Sequence, residues 1–409
     1  MSSARTTLQR AALYVGGFLG PFGGGVVISM LPEIGADTGV STGDAALTIT
    51  AYLGPFALAM LVSGTLGARW GRVRTVRTAY AVYALAALAS ALAPTMTLLL
   101  GTRVLQGVAN AFTTPLLLAA LAMITPKDQL GRALGLFGAM QAAGQTIAPL
   151  VGGLAAEVGW RCAFVVLAAA ALVLAVIGLP SGVGRPPDAA PARLRDALRP
   201  RVLRIGVVAL LGWGALGGLS FLLAFRAENI FGLDPAPRGA LLTGFGIAGI
   251  LSARRVGVLV DRIGATTTVL IGSIAGAALV IVVGLAPTLW LVAAAWFVAG
   301  IASQCVLVGV NAAVLGGEER NRGGAVSVVQ AFRFGGGAAT PMALTPLYAA
   351  APVASFVLPA LLLAIVAPIA MPKDAAPPKD TETPDDRAAP GVQNRRPEPP
   401  QRHTSAGGA

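Results

Sequence analysis

Charged residues are scarce in this chain. Asp, Glu, Lys and Arg make up 12% of its 409 residues, whereas 55% are hydrophobic. Soluble globular domains carry roughly 25% charged residues, so this chain is too apolar to cover its surface as a water-soluble globule. Acids are the scarcer sign, with 18 Asp and Glu against 30 Lys and Arg. The shortage of charge predicts a protein whose solvent is lipid.

Residues that commonly perform chemistry are also rare. The one histidine, His403, lies in the C-terminal tail, which excludes a histidine proton relay inside a membrane. Cys162 and Cys305 have no metal-ligand spacing, and we interpret both as small apolar residues. The sequence has no Gly-x-x-x-x-Gly-Lys-Ser/Thr phosphate loop and no nucleophile beside a histidine or a buried carboxylate. We therefore expect no metal, no cofactor and no enzymatic activity.

What the chain has in quantity is long apolar runs. About 20 residues cross ~30 Å of hydrocarbon as a helix at 1.5 Å per residue. Only helices and closed barrels satisfy their backbone groups in lipid, and the alternating pattern of a barrel is absent. The sequence therefore predicts an all-α integral membrane protein with twelve transmembrane helices. We place these spans at residues 12–32, 45–66, 78–95, 97–124, 133–156, 162–182, 205–225, 239–260, 266–286, 289–312, 324–347 and 352–371.

The basic residues mark the two sides of the membrane. Only Arg161, Arg226 and Arg238 fall in the odd-numbered connections between the predicted spans. By the positive-inside rule the other side is cytoplasmic, which places both termini of this cell-membrane protein in the cytoplasm. The net charge of +12 is thus a topology signal, with some attraction to anionic membrane lipids, and no sign of nucleic-acid binding.

A segment that occurs twice divides the chain into two similar halves. Residues 64–71 return 193 positions later as residues 257–264, each time between two predicted spans, and Gly107 falls on Gly300 at the same offset. The connection between the halves is either an amphipathic helix on the inner leaflet or a solvated hinge. The predicted organisation is a six-helix bundle (1–182), a cytoplasmic linker (183–204), a second six-helix bundle (205–372) and a disordered cytoplasmic tail (373–409).

Polar residues share one face of the fourth predicted span. Arg103, Gln106, Asn110 and Thr114 are three to four positions apart, so they lie on the same side of a helix. A polar stripe in lipid must face protein or water, and an arginine there costs at least about 2.5 kcal/mol on insertion scales. We therefore expect this face to line a cavity. The alternative is that Arg103 extends to the headgroups.

Small residues, proline and amides recur in the fifth and eleventh predicted spans. Glycines beside a proline allow close helix packing and a bend that opens and closes. The residues expected at the bends are Gly144, Pro149, Gly152, Gly153 and Pro341. In the eleventh span Arg333 lies about 14 Å from the inner end at 1.5 Å per residue. The further residues expected in the cavity are Gln141, Gln145, Gln330 and Asn311.

Three of these elements resemble signatures of one family. Residues 64–72 and 257–264 resemble the first signature of the major facilitator superfamily, although Ala68 replaces its aspartate in the first copy. Residues 103–107 are similar to the family's Arg-x-x-Gln-Gly element, whose arginine is associated with proton coupling. The span-5 element resembles the antiporter signature of the drug-efflux branch, with Ala148 in place of one glycine. We accordingly expect coupling residues at Arg103, Gln106, Gly107 and Arg333, and gating loops at Gly64, Arg69, Gly71, Arg72, Gly257, Asp261, Arg262 and Gly264.

The resemblance implies two pseudo-symmetric six-helix bundles that transport by alternating access. We expect a monomeric secondary transporter that exports a small molecule, a drug or a metabolite, in exchange for protons. No acid lies well inside a span, so either Glu33 or Asp261 titrates, coupling runs through arginine and water, or the protein is not proton-coupled. The alternatives are a facilitator or symporter that imports a sugar, organic acid or amino acid and, in another class, a non-transporting membrane sensor or scaffold.

Overall fold

The computed structural model describes residues 2–126, 128–180, 183, 198–316 and 322–372. Within these ranges the chain forms helices and no strands. The α-helices are α1 (Ser2–Gly25), α2 (Leu31–Thr38), α3 (Thr42–Ala45), α4 (Leu47–Trp70), α5 (Arg72–Ala91), α6 (Met96–Ala111), α7 (Thr114–Ile124), α8 (Leu130–Val158), α9 (Arg161–Ile177), α10 (Pro200–Ala215), α11 (Ser220–Asn229), α12 (Pro235–Ile263), α13 (Ala265–Leu285), α14 (Leu289–Leu315), α15 (Arg322–Ala350) and α16 (Pro352–Ala370).

Each predicted span overlaps one long helix or two consecutive helices. The first span is interrupted by a 3-10 turn (Ile28–Met30) and the seventh by another (Gly217–Leu219), whereas the fourth divides into α6 and α7. Pro32 and Pro115 stand in the first turns of α2 and α7. Proline has no N–H to donate and is tolerated at a helix start, so these residues favour a new helix where the old one ends.

The outside of the bundle is apolar. Leu85 and Leu251 are each 69% exposed and Ile369 is 71% exposed. An extensive apolar exterior is what a protein immersed in lipid presents. Eight helical stretches of the described residues are also long and apolar enough to cross a membrane, by length and composition. The all-α membrane fold is thereby confirmed, while the number of twelve crossings stays a prediction.

The sequence repeat is accompanied by a repeat of backbone geometry. Gly71 and Gly264, which are 193 positions apart, have φ angles of 92° and 85°. Each residue follows a long helix and immediately precedes the next one, α5 or α13. Residues with a side chain rarely adopt positive φ, so glycine is needed at both turns. The two predicted gating loops are therefore built alike.

Close helix contacts repeat at the same offset. A Cβ added at Gly107 would collide with the carbonyl oxygen of Tyr52, and one at Gly300 with that of Phe245. Both members of the second pair lie 193 positions after their counterparts in the first. In both halves the absent side chain lets two helices touch through their backbones.

A second contact pair repeats with an offset of 192. Gly144 in α8 packs against the carbonyl oxygen of Phe18 in α1, and Gly336 in α15 packs against that of Leu210 in α10. The halves thus share their internal packing, which the sequence repeat alone could only imply.

The described residues cover little of the predicted linker. Residues 184–197 and the predicted tail lie outside the described ranges, and so does any amphipathic helix there. Helix α10 begins at Pro200, inside the range predicted as linker, and its Val202 is fully buried. The ordered helix of the seventh span therefore begins earlier than the sequence indicates.

Candidate functional site

The turns between helices define two ends of the bundle. One end carries the turns at Gly71 and Gly264. Several arginines lie next to these turns in the sequence, and we call this end the basic end. The other end carries Gly39, Gly159 and Gly232, and we call it the opposite end. We call residues 2–180 the N-terminal half and residues 198–372 the C-terminal half.

Arg238 joins the two halves at the opposite end. It lies in the first turn of α12, and its side chain is only 1% exposed. Its Nη2 donates to Glu33 Oε1 at 2.5 Å, and its Nε donates to the carbonyl oxygen of Ser29 at 2.8 Å. Glu228 Oε2 lies 4.0 Å from Nη1. Separation of the halves would take Glu33 and the Ser29 carbonyl away from this guanidinium, so this cluster stabilises their contact.

Helices α8 and α12 meet closely beside Arg238. A Cβ at Gly153 would collide with the carbonyl oxygen of Pro235, and one at Gly239 would collide with that of Pro149. The Ser29 hydroxyl donates to the same Pro149 carbonyl at 2.6 Å. The predicted bend residues Pro149 and Gly153 therefore lie in the contact between the halves.

Helices α4 and α15 make the second contact between the halves. Thr50 Oγ1 donates to the carbonyl oxygen of Ala338 at 2.6 Å. The rings of Phe56 and Phe334 meet edge to face with centroids 4.9 Å apart. Together with the α8–α12 contact, these interactions close the opposite end.

The same long helices have free space nearer the basic end. Ideal Cβ positions at Gly135 and Gly138 in α8, and at Gly257 in α12, have no atom of the described residues within 4 Å. The close approach of α8 and α12 extends from the opposite end to the middle of the bundle, where a Cβ at Gly246 would meet Thr146. The contacts between the halves described here close the opposite end.

Arg103 is completely buried in the N-terminal half. Its Nη1 donates to the carbonyl oxygen of Gly23 at 3.1 Å and to Gln106 Oε1 at 2.8 Å, and its Nε donates to the carbonyl oxygen of Thr48 at 3.4 Å. The guanidinium lies 4.3 Å from the centroid of the Tyr52 ring. Among the described residues no carboxylate pairs with it. Helix carbonyls and an aromatic face balance this charge.

The rest of the span-4 stripe is buried with Arg103. Gln106 Nε2 donates to Ser90 Oγ at 2.7 Å, and Asn110 Oδ1 accepts a hydrogen bond from the Thr113 hydroxyl at 3.1 Å. Thr114 is half-buried at the start of α7. The predicted face therefore lies inside the N-terminal half, where the sequence led us to expect a cavity wall.

The repeat shows what occupies the place of Arg103 in the other half. Trp296 lies 193 positions after Arg103, is 1% exposed and stacks on Phe245 with ring centroids 4.6 Å apart. Phe245 in turn lies 193 positions after Tyr52. In the N-terminal half the guanidinium of Arg103 on α6 thus covers the ring of Tyr52 on α4. In the C-terminal half the indole of Trp296 on α14 covers the ring of Phe245 on α12.

A pocket lies in the C-terminal half, between α10, α14 and α15. It holds about 320 Å³ of space between atoms, part of it open to solvent. The structure brings together here three residues that the sequence analysis selected, Asn311, Gln330 and Arg333. Trp213 and Ser303 join them. Apolar walls with a few convergent polar groups are typical of ligand sites.

Arg333 is the charged residue of this pocket. Its guanidinium lies 4.1 Å from the centroid of the Trp213 ring, and its Nη1 is 3.4 Å from Gln330 Oε1. Its Nε is buried and has no hydrogen-bond partner among the residues that the structure describes. Arg333 also forms no ion pair within those residues, so its charge faces the pocket with little compensation.

The other predicted site residues are distributed along α8 and the basic end. Gln141 and Gln145 are half-buried in α8 and do not line the pocket. Asp261 is exposed in the last turn of α12 and forms no ion pair in the described part of the chain. The remaining predicted loop residues also lie towards the basic end: Gly64, Arg69, Arg72, Gly257 and Arg262.

The family model of the Major Facilitator Superfamily matches residues 13–255 and 229–403 of this chain. The first match alone covers more than half of the sequence. The chain belongs to the major facilitator superfamily. The family assignment that the signatures predicted is confirmed, and it agrees with a transporter and not an enzyme.

Relatives of this major facilitator include proteins named for drug resistance. It is 31% identical over 217 residues to the puromycin resistance protein pur8 of Streptomyces alboniger, with 52% of this chain and 40% of the relative covered. It is 27% identical over 202 residues to the tetracenomycin C resistance and export protein of Streptomyces glaucescens, with 47% and 38% covered. The chain thus spans well under two thirds of the length of these relatives.

A solved structure confirms the major facilitator fold. A bacterial homologue of the human lysosomal transporter Spinster, in an inward-facing and unoccupied conformation, superposes with a TM-score of 0.72. The two proteins are 16% identical, and the match covers 91% of this chain and 96% of the other.

Sequence reasoning did not select Arg238 as a site residue of this major facilitator. The partners Glu33 and Arg238 are 205 positions apart, so no local pattern connects them. One signal was nevertheless present: Arg238 is one of the three basic residues on the side that the positive-inside rule leaves poor in charge.

Proposed function

We propose that this protein is a secondary active transporter that exports a small molecule by alternating access. The observation that carries the proposal is the set of contacts between the two halves that closes the opposite end, with the buried Arg238 at its centre. A transporter of this kind needs two states, in which one end or the other admits the substrate. A sensor or scaffold has no need of an ion pair that bridges two such halves.

The direction of transport in the proposal follows from topology and relatives. The positive-inside rule favours a cytoplasmic basic end, and we propose that the closed, opposite end faces the outside of the cell. The named relatives act in resistance to puromycin and in resistance to and export of tetracenomycin C, which supports export of a drug or metabolite. We further propose that the two bundles predicted from the sequence, residues 1–182 and 205–372, move against each other as two bodies.

Protons are the coupling ion in this proposal. Of the carboxylates near the predicted spans, Glu33 is the proposed coupling group, because it forms an ion pair with Arg238 across the halves. Loss of this ion pair would favour opening of the opposite end. Arg103 stays the proposed coupling residue of the N-terminal half, acting through its hydrogen bonds to α1 and α4.

Accumulation in cells tests the proposal. Cells with and without the protein are loaded with a panel of dyes, antibiotics and metabolites, and a proton uncoupler is then added. We expect lower accumulation of at least one compound in expressing cells and its recovery after the uncoupler. Higher accumulation in expressing cells would indicate import. If the uncoupler has no effect, protons are not the coupling ion. No difference for any compound would favour the sensor alternative.

A further inference from the structure

We propose that the pocket at Arg333 binds the transported molecule, and that this molecule is an organic anion with a flat apolar body. The inference rests on the proposed function, which leaves the substrate class open. Among the residues that line the pocket, Arg333 is the one with a charged side chain. Its polar neighbours there, Ser303, Asn311 and Gln330, are neutral, and the described lining residues include no carboxylate.

The first argument is electrostatic. An uncompensated cation inside a membrane protein is costly unless an anion or a set of acceptors balances it. Arg238 has Glu33, and Arg103 has two helix carbonyls and Gln106, whereas Arg333 has one hydrogen bond of 3.4 Å. A bound carboxylate, sulfonate or phosphate would supply the charge that the lining lacks, and a cationic substrate would be repelled.

The second argument is geometric. One face of the Arg333 guanidinium is covered by Trp213 at 4.1 Å, with Phe334 at 5.1 Å from the same group. Stacking fixes the plane of the guanidinium but uses none of its N–H donors. Nε has no partner in the described residues. A planar fork held in this way is suited to a bidentate carboxylate.

The third argument comes from the repeat. The N-terminal half has Gln141 at the position of Arg333 and Pro21 at that of Trp213, both at the offset of 192. Asn311 corresponds to Leu118 at the offset of 193. The N-terminal half therefore forms the equivalent helices without the side chains of Trp213, Asn311 and Arg333. Their presence in the C-terminal half is therefore a property of the pocket and is not required by the helix packing that the halves share.

The apolar part of the ligand follows from the remaining wall. Val306, Leu307, Val310 and Val329 line the pocket beside Trp213. Aliphatic side chains and an indole ring favour a hydrophobic body, and the polar groups fix its charged end. An aromatic carboxylate combines both features.

The probe is radiolabelled 1-naphthoate, and 1-naphthylmethylammonium serves as a cation of the same shape. Binding of each to the purified full chain in detergent is measured by equilibrium dialysis, without any gradient. Arg333→Gln removes the charge, and Arg333→Lys keeps the charge but loses the planar fork. Arg255→Gln is the matched control, because Arg255 is an exposed arginine of α12 outside the pocket.

We expect naphthoate to bind and the ammonium compound to bind at least about 10-fold more weakly, because the cation cannot accept the hydrogen bonds that Arg333 donates and is repelled by its charge. Arg333→Gln should lose at least about 10-fold in naphthoate affinity, Arg333→Lys should be intermediate, and Arg255→Gln should equal the unaltered protein. Equal binding of the two probes, or unchanged binding by Arg333→Gln, would overturn the inference. If Arg333→Gln does not fold, the inference is tested by the binding of the two probes to the unaltered protein and by the naphthoate affinity of Arg333→Lys.

Failure of the proposed function can be distinguished from failure of the proposed anion site. Naphthoate binding through Arg333 without energised export in cells would reject the transporter and keep the anion site. Energised export together with no preference for the anionic probe would reject the anion site alone.

Discussion

The buried arginines of this protein differ in what balances their charge. Arg238 has carboxylates, Arg103 has backbone carbonyls and the face of Tyr52, and Arg333 has an aromatic face and a single weak hydrogen bond. Arg103 and Arg333 each keep one buried N–H group without a partner among the described residues, Nη2 and Nε respectively. Arg103 is fully enclosed and holds two helices together through its acceptors, whereas Arg333 lines a pocket, where its donors are available to a ligand.

Arg103→Ala should abolish export. The substitution removes the hydrogen bonds that the guanidinium donates to Gln106 Oε1 and to the carbonyls of Gly23 and Thr48, each with a net contribution of roughly 1 kcal/mol. Because these carbonyls belong to two helices that must keep their positions, we expect a lower Tm as well. Export is measured in cells, and the Tm is measured on the purified protein.

Arg103→Lys is the accompanying variant. Lysine restores the charge but has no planar fork, so it should recover part of the Tm and less of the export. Unchanged export by Arg103→Ala would remove this residue from the mechanism.

Glu33→Gln should favour opening of the opposite end. The amide keeps the size of the carboxylate but loses the ion pair with the buried Arg238, which weakens the contact between the halves. The reporter is Thr50→Cys in a chain whose two native cysteines are alanine, labelled from outside by a membrane-impermeant maleimide. We expect the labelling rate to rise about 3- to 10-fold, as for roughly 1 kcal/mol.

Glu157→Gln is the matched control for Glu33→Gln. Glu157 is an exposed acid at the same end of the bundle and makes no contact with Arg238. Equal labelling rates in the two variants would show that the Glu33–Arg238 pair does not hold the end closed.

At the scale of helices, close packing depends on glycines whose places repeat. Gly107 and Gly300 bring equivalent helices together inside each half, whereas Gly153 and Gly239 bring α8 and α12 together across the halves. The first pair follows the repeat and holds the halves intact. The second pair lies at the closed end, where a transporter must separate its helices.

Gly153→Leu should prevent complete closure of the opposite end. A side chain at this position collides with the Pro235 carbonyl, which belongs to a helix and cannot move aside alone. Labelling of Thr50→Cys should therefore rise. Gly135→Leu lies on the same helix and meets free space among the described residues, so it should leave labelling unchanged. Identical labelling of the two leucine variants would contradict the closed contact.

The sequence predicted the helices and their repeat better than the site. Apolar runs and an offset of about 193 follow from the requirements of lipid and from duplication, and both are visible along one chain. The polar face of span 4 was predicted to avoid lipid, but the sequence of a single helix does not show whether protein or water lies against that face. Tyr52 and Gly23, on other helices, decide that Arg103 is buried.

At the scale of the whole molecule, the proposed alternating access requires the contacts at the opposite end to break and re-form in each cycle. Gly43 and Thr345 belong to different halves there, and a Cβ at Gly43 would touch the Thr345 methyl group. A disulfide between Gly43→Cys and Thr345→Cys would thus fix the closed state without disturbing the basic end.

Oxidation of the Gly43→Cys/Thr345→Cys variant should stop export, and reduction should restore it, because a cross-linked opposite end holds the bundle in one of its two states. The native cysteines are replaced by alanine, and export is measured before oxidation, after it and after reduction. Each single cysteine variant, treated in the same way, controls for the oxidant. Export that continues with the cross-link complete would mean that the substrate leaves without separation of these helices, and alternating access at this end would be wrong.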